Sequence, residues 1–389
     1  MSAPADATME EIRTLVAFDT TSRDSNLELV EHVERHLESL GIASTRIPNP
    51  EGTKANLLAT IPAADGSTSG GIVLSAHTDV VPVDGQQWSS EPFAPEVRDG
   101  RLYARGSADM KSFLGVVLVK AADMVAQPLA EPIHLALSYD EEIGCVGAID
   151  LVDRLASQGG LPRGCVVGEP TSMRVVRGHK SMNVFRIDVR GVAAHSSLTP
   201  QGENAVAAAA ELVRFVQGVG DEMREQGPFD DGYVVPYTSV SVNRIDGGIA
   251  INTIPAECTI HFEFRALPTV DHAALVERFR AECARVEADM RSRFAEASVT
   301  LTTTAAAPGV DTAADAEIVG LAAAWGATPS DEKVTYGTEA GLFANAGIPT
   351  IVCGPGDIAQ AHAPDEFIHL EQIAACEAFV DALVADLRA

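Results

Sequence analysis

Gly71-Ile72-Val73-Leu74-Ser75-Ala76-His77-Thr78-Asp79 is an apolar run that breaks off in a histidine, a small residue and an acid. A buried strand delivers polar groups to the rim of a sheet in this way. A histidine that ligates a metal needs its second ring nitrogen held, and a carboxylate two residues on can hold it. In isolation, His-x-Asp after a strand more often marks a solvated turn than a metal site. Its meaning therefore depends on whether other apolar runs end the same way.

Several do. The run at 132–139 ends in Asp140-Glu141-Glu142, and the run at 164–168 ends in Glu169-Pro170. The run at 349–353 precedes Gly354-Pro355-Gly356, with His362 in the loop beyond. Asp109 lies in Ser107-Ala108-Asp109-Met110-Lys111, which opens an apolar helix predicted over 112–126. Further helices are predicted over 9–18, from a Ser25 cap to a stop at Gly41, up to about Leu155, and over 315–325 and 370–387. Strand, polar rim and helix thus alternate, which argues an α/β domain built on a mostly parallel sheet. Open sheets of this kind gather their functional groups at the carboxyl ends of the strands.

The texture changes after Val176. Residues 184–190 alternate as a half-exposed strand, as do 238–245 and 257–266. Helices are predicted over 203–224 and 271–290, with a Thr-rich strand at 298–304. Two helices beside an antiparallel sheet make an α+β insert, placed at 180–304. The flanks, 1–179 and 305–389, then form one discontinuous α/β domain. Within the insert, 247–255 reads as a hairpin with a polar tip, and 333–336 beyond it as a strand. Arg265 ends an alternating strand and suits a two-pronged pair with a substrate carboxylate.

At 389 residues the chain exceeds one ordinary core. A formal net charge of −27 makes nucleic acid and anionic membrane poor partners. No apolar stretch reaches membrane-spanning length. The first residues show neither the basic nor the apolar region of a secretory leader. The six cysteines are scattered without paired spacing, so a reducing cytoplasm is expected.

Two histidines and several carboxylates at one rim suit divalent cations, Zn²⁺ first. Of the adjacent Glu141 and Glu142, one can ligate while the other stays free as general base and acid.

These residues carry a resemblance. Ala76-His77-Thr78-Asp79, Gly106-Ser107-Ala108-Asp109-Met110-Lys111, Asp140-Glu141-Glu142, Gly168-Glu169-Pro170-Thr171-Ser172, Ala194-His195-Ser196-Ser197 and Gln360-Ala361-His362 resemble the motifs of the di-zinc amidohydrolases. That family includes aminoacylases, acetylornithine deacetylases, succinyl-diaminopimelate desuccinylases and glutamate carboxypeptidases. The likeness spans almost the whole chain. Val176-Arg177-Gly178-His179-Lys180, Val235-Pro236-Tyr237, Tyr336-Gly337-Thr338-Glu339-Ala340 and Gly354-Pro355-Gly356 lean it toward the acetylornithine deacetylase branch. Ser112 and Gly341 depart from the usual Gly and Pro.

The resemblance implies two zinc ions per subunit, replaceable by Co²⁺ or Mn²⁺. Asp109 bridges them, His77 and Glu169 hold one, and Glu142 and His362 hold the other. Asp79 orients His77, and Glu141 moves the proton. It implies a cis peptide at Asp109-Met110 and an insert that pairs subunits into a homodimer and acts as a lid. His195 reaches from the partner subunit to the developing oxyanion. Asn252, Arg265, Lys180, Gly337 and Thr338 touch substrate. The expected reaction is hydrolysis of an N-acyl amino acid, N²-acetyl-L-ornithine to L-ornithine and acetate in arginine biosynthesis. The nearest alternative is an aminoacylase, dipeptidase or carboxypeptidase acting on another N-acyl amino acid. A non-catalytic metal- or amino-acid-binding protein is the remote one. It predicts damage to the base or a ligand, and here all are present.

Overall fold

The computed structural model describes residues 3–389. Ten strands of five or more residues run through them: β1 (Ser44–Pro48), β2 (Ala55–Ile61), β3 (Ile72–His77), β4 (Ile133–Ser138), β5 (Gly164–Pro170), β6 (Met182–Arg190), β7 (Ser239–Gly247), β8 (Glu257–Arg265), β9 (Ser298–Ala307) and β10 (Thr350–Gly354). The α-helices among these residues are α1 (Asp6–Ala17), α2 (Leu27–Ser39), α3 (Lys111–Ala126), α4 (Ala148–Ala156), α5 (Ala205–Gln226), α6 (His272–Arg293), α7 (Glu317–Ala324), α8 (Ala340–Asn345) and α9 (Leu370–Asp386). They divide into two compact units. The first takes the residues up to Gly178, Val310–Lys333 and Thr338–Ala389; the second takes His179–Gly309 and Val334–Gly337.

The first unit is the α/β body expected from the alternating pattern. Its six-stranded sheet has the order β1-β2-β4-β3-β5-β10. The pairs β3–β4, β3–β5 and β5–β10 are parallel, while β1 and β2 add an antiparallel edge. Strands β3, β4, β5 and β10 are buried at every position, which is why they read as unbroken apolar runs. Helix α1 buries Met9, Ile12, Leu15 and Val16. It approaches α3 so closely that a side chain on Gly115 would meet Ile12 at 2.5 Å. Gly168 on β5 is equally constrained, since a Cβ there would lie 2.1 Å from the ring of Phe113 on α3. Ser25 serves the next helix from one position further out than a capping residue, its hydroxyl accepting from Leu27 N at 3.2 Å.

The second unit is a four-stranded antiparallel sheet, β7-β8-β6-β9, with α5 and α6. The alternation in sequence becomes alternating burial along β6 and β8. Phe185, Phe262, Phe264 and Phe279 form its centre, with ring separations of 4.9–6.4 Å. The unit ends at Gly309 instead of 304, because β9 continues pairing with β6 as far as Ala307.

Two local expectations are corrected. Residues 333–336 do not form a strand; Val334 makes a single bridge to His179. The tip of 247–255 is not polar throughout, since Ile249 and Ile251 are almost fully exposed. The segment also pairs beyond itself: Thr253–Ile254 forms a two-stranded ribbon with Ala194–His195. No helix among the described residues is long and apolar enough to cross a membrane.

Candidate metal centre

The carboxyl ends of β3, β4, β5 and β10 lie side by side, so residues 77, 141, 142, 169 and 362 meet at one rim. Asp109 arrives from the loop before α3, and its peptide bond to Met110 is cis. The two oxygens of Asp109 face opposite ways. Oδ1 is 3.0 Å from His77 Nε2, and Oδ2 is 3.2 Å from His362 Nε2. Glu169 Oε1 lies 3.6 Å from His77 Nε2 on the first side, and Glu142 Oε2 lies 3.0 Å from His362 Nε2 on the second. Two groups of side chains thus meet at one carboxylate, and His77, Asp109 and Glu142 also cluster closely enough to hold a cation.

Asp79 meets His77 through two groups. The ring of His77 is held by the main-chain oxygen of Asp79, 2.9 Å from Nδ1, with the carboxylate further off at 3.6 Å. Donation from Nδ1–H leaves Nε2 free to face a cation. The Asp79 carboxylate also accepts from the amides of Glu141 (3.1 Å) and Glu142 (3.3 Å) and from Ser22 Oγ (2.6 Å). It is the anchor of the Glu141-Glu142 turn. Lys54 Nζ donates to Asp140 at 2.6 Å just before that turn. The thiol of Cys145 donates to Glu141 Oε1 at 3.3 Å.

Burial and charge explain the proton affinities. Burial disfavours charge on Asp109, but its bonds to His362 and His77 outweigh this and hold it well below the usual carboxylate range. Burial raises Glu142 to about 7, with repulsion from Asp109 adding to it. Burial also pushes Glu141 and Glu169 well above the ordinary value. His362 is raised to about 10 by its bonds to Asp109 and Glu142. For His77 burial acts downward, yet the Asp109 and Asp79 contacts leave it raised. Buried acids whose ionised forms are disfavoured, set beside imidazoles, are groups whose ionised forms a bound cation would favour.

The donor set fits a pair of divalent ions. Two imidazole nitrogens and several carboxylate oxygens converge at the rim, and the chemistry is that of borderline cations. Glu169 Oε1 is buried without a hydrogen-bond partner, as a ligand atom awaiting its ion would be. His77, Glu141 and Glu169 also cluster closely enough to hold a cation, so Glu141 stands within reach of the same centre.

The other expected residues lie elsewhere. In the second unit, His195 and Asn252 are brought together. Both are exposed, His195 pairs with Thr253 across the ribbon, and Asn252 O accepts from Ser196 N at 2.9 Å. Arg265 is engaged by Glu263 on its own strand at 3.0 Å. Lys180 is buried, donates to the carbonyl of Tyr237, and is lowered to about 8 by burial. Gly337 belongs to this unit as well. Thr338 lies in the first unit, buried, with its hydroxyl accepting from Ala340 N at 3.1 Å.

Sequence patterns gave no hint of Ser22, Lys54 or Cys145, whose roles come from folding distant segments together. Glu339 did carry a signal, in Gly337-Thr338-Glu339-Ala340. It is fully buried and accepts from Ser75 and Ser138, both at 2.6 Å, so it braces the two strands that carry His77 and lead to Glu141.

The sequence profile of Peptidase family M20/M25/M40 matches residues 73–386. An acetylornithine deacetylase from Myxococcus xanthus is 35% identical over 393 residues, covering 99% of this chain and 98% of the relative. Among solved structures, the M20 family metallo-carboxypeptidase Sso-CP2 from Sulfolobus solfataricus superposes with a TM-score of 0.74 at 16% identity, covering 98% of this chain and 99% of that one. The Bacillus subtilis YXEP protein, a dinuclear metal binding peptidase from the M20 family, gives 0.64 at 17% identity over 98% and 97%.

Asp79→Asn tests the anchor. An amide offers one acceptor where the carboxylate offers two, so the Glu141-Glu142 turn loses a hold, while the main-chain oxygen on His77 remains. Metal affinity is expected to fall by about 10- to 100-fold, read by titration of the stripped protein against a competing chelator.

Proposed function

Because the chain belongs to peptidase family M20/M25/M40, we propose that this hydrolase removes the acyl group of an N-acyl amino acid using two zinc ions, with N²-acetyl-L-ornithine as substrate and L-ornithine and acetate as products. Two observations support this. The two-faced Asp109 between His77 and His362 suits a pair of ions. The relatives with 31–35% identity over nearly the whole chain are acetylornithine deacetylases.

His77, Asp109 and Glu169 would hold one ion; Asp109, Glu142 and His362 would hold the other. Bound zinc would polarise the amide carbonyl and make hydroxide accessible near neutral pH. Glu141 takes the proton of the attacking water and returns it to the leaving amine. Its buried position and raised proton affinity suit a group that must carry a proton through the reaction. Asp79 fixes where Glu141 starts, through the amide bond at 3.1 Å. His195 donates to the oxyanion, and Arg265 takes the substrate carboxylate once released from Glu263. Asn252, Lys180, Gly337 and Thr338 complete the substrate contacts. Assembly is a homodimer through the second unit. Strand β7 is a sheet edge, and Ile245, Ile249 and Ile251 beside it are exposed. A cytoplasmic setting is supported by six cysteines that are all free and buried.

Glu141→Gln is expected to keep both ions and lose turnover by about 10²-fold or more; a near-normal rate would remove Glu141 from the proton path. A panel of N-acetylornithine, other N-acetyl amino acids, succinyl-diaminopimelate and dipeptides decides the substrate. N-acetylornithine should lead by kcat/KM, and a dipeptide in first place would reassign the chain within its family. Sedimentation should give twice the 40.9 kDa chain mass; a monomer at assay concentration would overturn the dimer.

A further inference from the structure

The two ligand sets are held in different ways. On the first side, His77 and Glu169 ride on β3 and β5 and are buried, 1% and 4% exposed. His77 is registered opposite Ser138 in the sheet, and Glu169 stands in β5 between the pairs Val167–Val352 and Pro170–Gly354. On the second side, Glu142 lies on a turn and His362 on a loop. The His362 side chain is 51% exposed, and its backbone adopts φ 62°, a conformation that a residue with a side chain rarely holds unaided. Nothing in the sheet positions it.

A chain of polar contacts does. The carbonyl of His362 accepts from Gln86 Nε2 at 3.0 Å. Gln86 Oε1 in turn accepts from Trp88 Nε1 at 2.9 Å and from Arg105 Nη2 at 2.7 Å. Arg105 is fully buried, lies against the Trp88 ring, and pairs with the buried carboxylate of Glu366. The other oxygen of Glu366 accepts from the amides of Ala108 (2.8 Å) and Asp109 (3.2 Å). The main chain of one ligand is thereby linked to that of another through Gln86, Arg105 and Glu366. An ion pair this deeply buried is costly to form, so its presence is weak evidence of a gain in stability.

We propose that Gln86, Arg105 and Glu366 are positioning residues for the cation ligands, Glu366 acting at Asp109, which both positions share, and Gln86 at His362. Gln86 governs the second position alone, by holding His362 at a fixed reach from Asp109. The proposal rests on the ligand assignment given above. Gln86 is half-buried in the loop before Trp88, and its replacement by Ala also takes an acceptor from the buried Arg105 guanidinium, whereas Gln86→Glu keeps that acceptor and removes only the donor to His362. Gln86→Glu therefore reads the effect on ion binding, with apo melting as its control.

The experiment titrates Zn²⁺ into stripped full-length protein with a competing chelator, resolving two dissociation constants. In Gln86→Ala the second constant should rise about tenfold or more, with the first changed less than about twofold. Gln86→Glu keeps an acceptor for Arg105 but loses the donor to His362, and should match Gln86→Ala. Glu366→Gln disturbs the Asp109 amide common to both positions and should raise both constants. Unaltered apo melting in the Gln86 variants separates this from general damage. Wild-type protein that binds two ions alongside Gln86 variants that bind them equally well would overturn the clamp alone, as would a parallel rise in both constants. Wild-type protein that takes up fewer than two ions would overturn the ligand assignment and the clamp with it.

Discussion

The burial of several carboxylates at one rim, with the repulsion among them added to it, is the constraint on which this structure turns. Asp79, Asp109, Glu141 and Glu169 are each less than a tenth exposed, and Glu142 adjoins them. Two like charges about 4 Å apart cost about 4 kcal/mol even at an effective dielectric of about 20. Several such pairs would rival the whole stability of an ordinary domain. The protein meets this in two ways. Imidazoles are interleaved between the acids, and backbone amides, hydroxyls and a thiol are spent on the carboxylate oxygens that face away from the centre. Glu169 Oε1 is left without a hydrogen-bond partner, and burial keeps the proton affinity of Glu141, Glu142 and Glu169 high.

The rim was legible in sequence because parallel strands are buried on both faces. Their apolar runs are unmistakable, and any acid or imidazole at their carboxyl end stands out. That logic points to residues 77, 141, 142, 169 and 362, and the fold brings them to one edge. It did not show which atom makes a contact. Asp79 holds His77 most closely through its peptide oxygen, at 2.9 Å, with its carboxylate at 3.6 Å, and that carboxylate also serves the turn after β4. Side-chain identity is written in the sequence; which atom of a residue does the work is not.

Supporting groups were illegible for a related reason. Ser22, Lys54, Gln86 and Arg105 belong to segments with no periodic signal, and they act on partners 86 to 276 positions away in the cases of Lys54 and Gln86. The segment at 247–255 shows a third kind of failure. Its Gly-rich, mixed composition reads as a solvated turn, but Ile249 and Ile251 stand in the open, as apolar groups intended for another surface do. At 333–336 the β-branched residues gave strand propensity without a neighbouring strand to pair with, and only a bridge formed.

The contact between Gly168 and Phe113 has a further meaning. Gly168 immediately precedes Glu169, and Phe113 stands one turn into the helix that Asp109 introduces. Ring atoms of Phe113 fill the space a side chain on Gly168 would occupy. Helix and strand are therefore set against each other by this contact, next to Glu169 and close in sequence to Asp109. Selection on catalysis would consequently be felt at two residues that touch neither ion nor substrate, and drift at one of them would have to be answered at the other.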